Sequence, residues 1–420
     1  MSSNASSVRA ITLPSFRGVR SGADITRGLV YALLQRLRGG TLTIHERGSS
    51  RHFGDDAPGG ISAEVIVHDP RVFHSVVSGG TVGAGEAYMQ GFWTSPDLVA
   101  VMRLFSANLH AMDAMDSGGS RLQRWGAKLL HWRNRNSLSG SRRNISAHYD
   151  LGNDFFSLFL DPTMMYSSAV YPSPEASLEE ASIHKLDLLC QQLELSPEDH
   201  LLEIGTGWGG LAVHAATHYG CRVTTTTISR EQFDYACARV EAAGLQDRVT
   251  VLCKDYRELE GRYDKLVSVE MIEAVGHEYY ADYFRRCGEL LAPGGKFALQ
   301  AITIADQRYA QARDEVDFIK QYIFPGGGLP SVEVIARHVA RKTDMQVVNL
   351  RDITADYART LADWRARFLA AAEEVRGMGY DEMFLRMWEF YLCYCEGGFR
   401  ERIISTVQVT LAKPGYRFGE

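Results

Sequence analysis

Three glycines in the stretch LLEIGTGWGG, residues 201–210, have a spacing typical of nucleotide binding. The preceding leucines and isoleucine indicate the end of a buried parallel strand, and glycine allows the backbone to turn tightly against a ligand before a helix begins. Gly205, Gly207 and Gly210 satisfy the pattern G-x-G-x-x-G. The pattern fits both a nicotinamide dinucleotide and S-adenosylmethionine, so the neighbouring residues must distinguish them.

The neighbouring residues favour S-adenosylmethionine. A dinucleotide site usually places an acid about 20 residues past the glycines to bind the ribose hydroxyls. Here that region reads TTTTIS, and the first acid is Glu231. Thr227 and Ser229 could still contact a ligand through their hydroxyls. Glu203, just before the first glycine, is suited to hold the charged amino-acid portion of S-adenosylmethionine, directly or through water.

Two further groups of residues could contribute chemistry. Asp255 and Tyr256 close the third strand, where an adenine would lie between an acceptor and an aromatic face. Glu270 and Glu273 follow an apolar strand, so one carboxylate could face the cofactor and the other the reacting carbon. The alternative for Glu273 is an acid at a helix start that satisfies backbone N–H groups.

Alternating strands and helices from about residue 186 predict a doubly wound α/β sheet that would position these side chains. Ser229 and Gln232 predict a capping box at the start of a helix. Beyond residue 304 a long, largely helical insertion is expected, and the chain should end in a β-strand. The predicted strands lie at 221–228, 249–255, 263–271, 296–304, 345–350 and 403–412, and two late helices at 356–377 and 381–397.

The chain of 420 residues exceeds the usual size of one core, so we expect two domains. Before the sheet we expect a helix over 23–40, strands over 41–46 and 62–69, and a helical region over 72–109. The expected divisions are a mobile tail (1–22), a small α+β domain (23–112), a basic linker (113–145) and the domain with the glycine loop (146–420).

Composition and sequence patterns argue against several classes of protein. A net charge of −6 argues against general nucleic-acid binding. No signal-peptide core or apolar run of membrane-spanning length occurs, so we expect an intracellular protein. The seven cysteines form no C-x-x-C pair or metal-ligand spacing, which favours free thiols and no bound metal.

The linker carries a basic segment with two readings. Residues 117–149 contain no acid and two tryptophans, together with the cations Arg121, Arg124, Lys128, Arg133, Arg135, Arg142 and Arg143. Such a composition fits docking on an anionic membrane surface. It also fits a solvated linker between domains.

Several segments together resemble the cyclopropane-fatty-acyl-phospholipid synthase family, relatives of the mycolic acid cyclopropane synthases. They include HYDLGNDFFSLFLDPTMMYSSAVY, the glycine stretch, TISREQ, DYRELEGRYDKLVSVEMIEAVGHEYY and FIKQYIFPGGGLPS. The resemblance covers nearly everything from Ala147 onward, and more weakly the N-terminal unit. It implies a Rossmann-like class I S-adenosylmethionine-dependent methyltransferase fold with a helical insertion, plus a lipid-engaging N-terminal domain.

The implied reaction transfers a methylene group from S-adenosylmethionine to the cis double bond of an unsaturated acyl chain on a membrane phospholipid, and it forms a cyclopropane ring. The resemblance also implies a peripheral enzyme on the cytoplasmic face of the membrane and a homodimer. Two alternatives stay open. The same carbocation could lose a different proton and give a methylene- or methyl-branched chain, or the protein could bind lipid without turnover.

The resemblance also assigns residues. A bound bicarbonate would act as base, held by Ser168, Glu273, Gln300, the backbone of Ile302, and Tyr357. The bacterial pattern has Cys at Ser168 and His at Gln300; both replacements can still hydrogen-bond an anion, although glutamine does not titrate. The matched cofactor positions are Tyr149, Tyr166, Ser167, Gly205, Gly207, Thr227, Ser229, Gln232 and Tyr256. Acyl-tunnel candidates, which could equally be core residues, are Phe318, Tyr322, Ile323, Phe324, Trp388 and Tyr391.

Overall fold

A computed structural model describes residues 22–109 and 151–417. The predicted tail up to residue 21, the basic linker and Tyr149 lie outside the described residues. Within the described ranges, no helix has both the length and the apolar character needed to cross a bilayer.

The N-terminal unit is a four-stranded sheet, in the order β2-β1-β3-β4, packed with three helices. Inward-facing Leu42 and Ile44 on β1 and Val65 on β3 are buried, as alternation on a half-buried sheet requires. Strand β2 was not predicted, because only Phe53 in SSRHFG is buried and the segment shows no alternation. The elements of the N-terminal unit are α1 (Gly22–Leu34), β1 (Gly40–Glu46), β2 (Ser49–Gly54), β3 (Ile61–Val67), α2 (Arg71–Met89), β4 (Trp93–Thr94) and α3 (Leu98–Ala107).

The second sheet has seven strands in the order β10-β11-β9-β8-β5-β6-β7. The strands from β9 to β7 are parallel to one another, and β11 is antiparallel to both of its neighbours. The strands are β5 (His200–Ile204), β6 (Arg222–Thr227), β7 (Val249–Cys253), β8 (Tyr263–Val269), β9 (Leu291–Ile304), β10 (Gln346–Asp352) and β11 (Ile404–Ala412). The chain order reverses between β5 and β8, and such a switch point opens a crevice at the carboxyl ends of the strands.

Helices flank this sheet. A π-helical turn, Ile319–Ile323, lies in the predicted insertion. The helices are α4 (Asn153–Ser157), α5 (Leu178–Leu193), α6 (Gly210–Tyr219), α7 (Arg230–Ala242), α8 (Tyr280–Leu290), α9 (Tyr309–Asp314), α10 (Val332–Lys342), α11 (Thr354–Ala370), α12 (Ala372–Gly377) and α13 (Glu382–Arg400). Together with the mixed sheet they form the α/β fold that the alternation predicted.

The N-terminal unit packs closely on α13 and on the insertion. A Cβ atom added to Gly85 of α2 would lie 2.6 Å from the ring of Phe318, and one added to Gly397 would lie 2.6 Å from Met102. The Tyr88 hydroxyl donates to Glu389 at 2.7 Å across the same contact. One continuous hydrophobic core therefore runs from the N-terminal sheet into α11 and α13.

Candidate active site

The glycine loop joins β5 to α6 and lines a cavity of about 570 Å³. Gly207 has a left-handed φ of 51°, and a Cβ atom there would meet nothing within 4 Å, so its backbone is open to a ligand. Gly210 has a packing role, because its Cβ would lie 2.6 Å from the carbonyl oxygen of Thr163. The predicted cradle is thus formed by a loop with one face toward the cavity and one against the preceding segment.

Glu203, at the end of β5, lies at the polar base of the cavity. Its Oε2 accepts a hydrogen bond from the Thr225 hydroxyl at 2.6 Å, and that hydroxyl is 2.7 Å from Oγ1 of Thr206. Burial raises the pKa of Glu203 to about 8. A ligand with a positively charged group, such as an ammonium group, would stabilise the ionised form of a carboxyl group buried in this way.

Thr227, Ser229 and Gln232 form one local network at the start of α7. Ser229 caps the helix, accepting from the Gln232 backbone N–H at 3.3 Å. The predicted capping box is only half formed, since Oε1 of Gln232 accepts instead from the Thr227 hydroxyl at 2.9 Å. Thr227 and Gln232 line the cavity, and Nε2 of Gln232 is the group that can donate to a ligand.

Asp255 and Tyr256 follow β7, as predicted, and both line the cavity. The Asp255 carboxylate is paired with the Arg257 guanidinium, with 2.7 Å between Oδ2 and Nη2. Tyr256 is buried, and burial raises the pKa of its hydroxyl. Its hydroxyl has no hydrogen-bond partner among the described residues, so the ring offers an apolar face and one free polar atom.

Glu270, at the end of β8, is the centre of the polar site. Its Oε1 accepts from the backbone N–H of Ser168 at 2.9 Å and from Nε2 of Gln300 at 2.8 Å. Its Oε2 accepts from the Tyr357 hydroxyl at 2.8 Å. Burial raises the pKa of Glu270, while these donors and the nearby Lys185 ammonium lower it.

Glu273 lies one turn further along in a quite different environment. Its Oε1 accepts from the backbone N–H of Ile302 at 2.5 Å. Its buried Oε2 has no hydrogen-bond partner among the described residues. Burial, together with the negative charge of Glu270, raises the pKa of Glu273 to about 8. Glu273 therefore carries a proton at neutral pH, as expected for one of two neighbouring carboxyl groups.

The expected bicarbonate donors do not converge on an open site. Three of them, Ser168, Gln300 and Tyr357, bind the Glu270 carboxylate. The backbone N–H of Ile302 binds Glu273. Moreover, the Ser168 hydroxyl donates to the carbonyl of Ala169 rather than toward the cavity. In this structure the donors predicted to hold bicarbonate therefore bind the side chains of Glu270 and Glu273.

Lys185 was missed by the sequence interpretation. It is fully buried on α5, and its Nζ donates to the Ser167 hydroxyl at 2.9 Å. Burial lowers its pKa to about 8, against the opposing effect of Glu270, Asp161 and Glu203. A signal was available: Lys185 lies seven residues after buried Leu178 and four before buried Leu189, on the apolar face of the helix.

The cavity continues from the cradle into the N-terminal unit. Tyr166 lines it, with its hydroxyl 2.9 Å from that of Tyr391. Most of the remaining lining is apolar and includes Leu361 and Phe390 of the larger sheet's helices, and from the N-terminal unit Val30, Leu34, Leu42, Ile44, Val65, Val67, Phe73 and Val101. One continuous space therefore joins the glycine loop to the interior of the small sheet.

Most predicted site residues line this cavity. They are Tyr166, Ser167, Glu203, Gly205, Gly207, Thr227, Gln232, Asp255, Tyr256, Glu273, Ile302 and Tyr357. Ser168 and Gln300 are fully buried beneath it and act on Glu270, and Ser229 acts as a helix cap.

The tunnel candidates divide in a similar way. Phe324 and Tyr391 line the cavity. Trp388 packs instead in an aromatic cluster, with its ring 4.8 Å from that of Phe155, and Phe318 packs against Phe390 at 4.6 Å. Tyr322 donates to Glu86 of the N-terminal unit, and Ile323 is core. For these four residues the core alternative describes the structure.

Comparison with known proteins agrees with this geometry. The sequence model of the family described as mycolic acid cyclopropane synthetase matches residues 136–409. The chain is 39% identical to the tuberculostearic acid methyltransferase UfaA1 of Mycobacterium tuberculosis over 354 residues, or 80% of each chain. It is 38% identical to the cyclopropane-fatty-acyl-phospholipid synthase of Escherichia coli K12 over 362 residues, covering 84% of this chain and 89% of that one.

A solved structure extends the comparison to three dimensions. The mycolic acid cyclopropane synthase CmaA1, complexed with SAH and CTAB, superposes with a TM-score of 0.61 at 30% identity. The match covers 65% of this chain and 98% of CmaA1.

Proposed function

The chain belongs to the mycolic acid cyclopropane synthetase family of S-adenosylmethionine-dependent C-methyltransferases, and we propose that it converts a cis double bond in a membrane phospholipid into a cyclopropane ring. The observation that carries this proposal is the continuous, largely apolar cavity that joins the glycine loop and the two carboxyl groups to the interior of the N-terminal unit. A long acyl chain fits such a space, with its double bond next to the methyl donor.

When bound, S-adenosylmethionine supplies a methyl group activated by the sulfonium charge. The chain's own residues bind and orient it: the Gly207 backbone leaves room for it, Gln232 can donate to its ribose, and Glu203 can accept from its ammonium group. Apolar residues around the cavity keep water from the carbocation that methyl transfer leaves on the acyl chain.

Bicarbonate, which the family resemblance implies as the base, does not fit the donor set of this chain. Its expected donors already bind the side chains of Glu270 and Glu273. A further anion would also lie close to the negative charge of Glu270, which is electrostatically unfavourable. We therefore assign no proton transfer to bicarbonate.

A second product class is favoured by the similarity to UfaA1. In that case the same carbocation loses a different proton, and the product is a methylene-branched chain or a methyl-branched chain that keeps a carbon–carbon double bond. A cyclopropane and an exocyclic methylene have equal mass, but they respond differently to hydrogenation, so mass spectrometry before and after mild hydrogenation separates the two outcomes.

Membrane engagement is the second part of the proposal. The basic segment within residues 113–145 supplies seven cations and two tryptophans without an acid between residues 117 and 149, a composition suited to an anionic lipid surface. We expect replacement of Arg121, Arg124 and Lys128 by Gln to weaken sedimentation with anionic vesicles and to leave cofactor binding intact. Unchanged sedimentation would contradict this role.

Lipid engagement by residues 23–112 and assembly as a homodimer belong to the same proposal. The apolar cavity lining from α1, β1 and β3 supports lipid engagement. The predicted homodimer is checked by light scattering of the purified full chain.

The main experiment incubates the full chain with vesicles of mixed unsaturated phospholipids and methyl-labelled S-adenosylmethionine, followed by lipid analysis. We expect label in the acyl chains, each gaining the mass of one methylene group. Glu273→Gln should lower product formation while circular dichroism and cofactor affinity stay unchanged, and the exposed Glu179→Gln serves as matched control. Cofactor binding without labelled lipid would favour the lipid-binding alternative and contradict the proposal.

A further inference from the structure

The Glu270 carboxylate is held by three donors that come from three separate parts of the chain. Ser168 follows α4, Gln300 lies on β9 and Tyr357 lies on α11. A planar carboxylate held in this way has the charge and shape of a bound carbonate-type anion. Glu270 therefore accepts the hydrogen bonds of three donors that the resemblance assigns to bicarbonate.

The amide of Gln300 is oriented for this purpose by residues behind it. Nε2 of Gln192 donates to Oε1 of Gln408 at 2.8 Å, and Nε2 of Gln408 donates to Oε1 of Gln300 at 3.0 Å. This chain of amides leaves Nε2 of Gln300 to donate to Glu270. A glutamine in place of a histidine thus supplies a fixed donor for a carboxylate.

The backbone at Glu270 provides independent support. Its φ of 48° lies in the left-handed region, which costs a residue with a Cβ about 1 kcal/mol or more. Its N–H is held by the carbonyl of Gln300 at 2.8 Å. A glycine would adopt this conformation without strain, whereas Glu270 adopts it at a position where its side chain accepts three hydrogen bonds.

The two neighbouring carboxyl groups are not equivalent. Glu270 accepts three hydrogen bonds and lies near the Lys185 ammonium, which favours its ionised form. Glu273 accepts one bond from a backbone N–H and is otherwise unpartnered among the described residues. Of the two groups, Glu270 is therefore the one whose hydrogen bonds stabilise a negative charge, and Glu273 the one that more readily keeps a proton.

We propose that the Glu270 carboxylate is the catalytic base of this enzyme, in place of a bound bicarbonate ion. This inference rests on the proposed function. Oε1 already accepts two hydrogen bonds and Oε2 accepts one, which leaves an acceptor site on Oε2 for a proton. Glu270 lines the cavity in which the acyl chain is proposed to bind.

The step balances without a further reactant. Methyl transfer breaks the carbon–sulfur bond, whose electron pair stays on sulfur, and the alkene π pair forms the new carbon–carbon bond. The carbocation at the second alkene carbon is then quenched when the new methyl group loses a proton to Glu270. The carbon–hydrogen pair closes the ring, and the neutral Glu270 acid releases its proton to solvent after the product leaves.

The test compares three forms of the full chain in CO₂-depleted buffer and in buffer with added bicarbonate. Wild type should turn over equally in both buffers. Glu270→Gln keeps the packing but loses the base, so its turnover should fall by about 100-fold or more. Glu270→Gly removes the carboxylate and leaves the three donors free, so added bicarbonate or formate should raise its turnover at least tenfold.

A binding measurement gives a readout apart from turnover. In ¹³C NMR with labelled bicarbonate, Glu270→Gly should show a bound signal and wild type none. Circular dichroism and cofactor affinity establish that each variant is folded, and Glu179→Gln is the control for loss of an exposed acid.

Three results would overturn the inference: wild-type turnover that requires bicarbonate, a bound bicarbonate signal in wild type, or folded Glu270→Gln with turnover within threefold of wild type. Failure of wild type to modify any lipid in either buffer would instead reject the proposed function.

Discussion

The hydroxyl of Tyr357 donates to Oε2 of Glu270 at 2.8 Å and joins helix α11 to the end of strand β8 across 87 residues of sequence. Both groups line the same cavity as the glycine loop. The bond stabilises the ionised carboxylate, and it therefore relates the position of a remote helix to the protonation state of the site.

Tyr357→Phe should shift the pH dependence of turnover. Loss of the donor raises the pKa of Glu270, so the acidic limb of the kcat profile should move to higher pH, and kcat at neutral pH should fall about 10-fold. Steady-state kinetics between about pH 6 and pH 9 measure both effects. Tyr171→Phe is the matched control, because it also removes a tyrosine-to-carboxylate bond, to Asp363, but away from the cavity. An unchanged acidic limb in Tyr357→Phe would contradict the proposed role.

Glu273→Gln should change how stability depends on pH. The folded protein keeps the Glu273 proton up to about pH 8, whereas the unfolded carboxyl group releases it near 4.5. Between these values the folded state binds more protons, so wild type loses about 1.4 kcal/mol of unfolding free energy per pH unit from this group as pH rises. Glu273→Gln has no titrating group at this position, so its free energy of unfolding does not fall with pH for this reason.

Urea unfolding at several values between about pH 5 and pH 8 measures the effect. The stability of Glu273→Gln relative to wild type should increase steadily with pH across this window. A difference that stays constant with pH would show that Glu273 does not retain its proton in the folded state.

Lys185→Met should weaken both the fold and the cofactor site. The substitution leaves Ser167 without its donor and removes the positive charge that stabilises the ionised forms of Glu203 and Glu270. We expect it to lower the free energy of unfolding by about 3 kcal/mol. We expect S-adenosylmethionine to bind about 10-fold more weakly, as measured by calorimetry. Lys342→Met, at an exposed lysine, should change stability by less than about 0.5 kcal/mol. Equal stability of the two variants would show that Lys185 has no electrostatic role.

Ala84→Phe should test whether the N-terminal part of the cavity holds the acyl chain. Ala84 of α2 lines the cavity, so an added ring would fill part of it. Turnover of long-chain phospholipid should fall about 10-fold while cofactor affinity stays the same, as measured by lipid analysis and calorimetry. His74→Phe places the same ring on an exposed position of α2 and serves as control. Full turnover by Ala84→Phe would place the acyl chain elsewhere.

Local sequence signals predicted most of the larger sheet. The glycine spacing, the apolar strands and the serine cap at residue 229 depend on residues close together in sequence, and each appears near its expected position. Strand β2 was missed because it shows almost no burial alternation. It forms through pairing with β1, in which Phe53 lies opposite Leu42. Such pairing is a property of the tertiary structure.

The sequence by itself predicted the glycine loop between a strand and a helix and the alternation of strands and helices in the larger sheet. Only the tertiary structure decided what the polar residues of the site bind. Ser168, Gln300 and Tyr357 are 102, 30 and 87 residues from Glu270, and no local pattern relates them. Their convergence follows from the docking of α11 and β9 on the end of β8, where burial makes an unpaired carboxylate costly and hydrogen bonds to it correspondingly valuable.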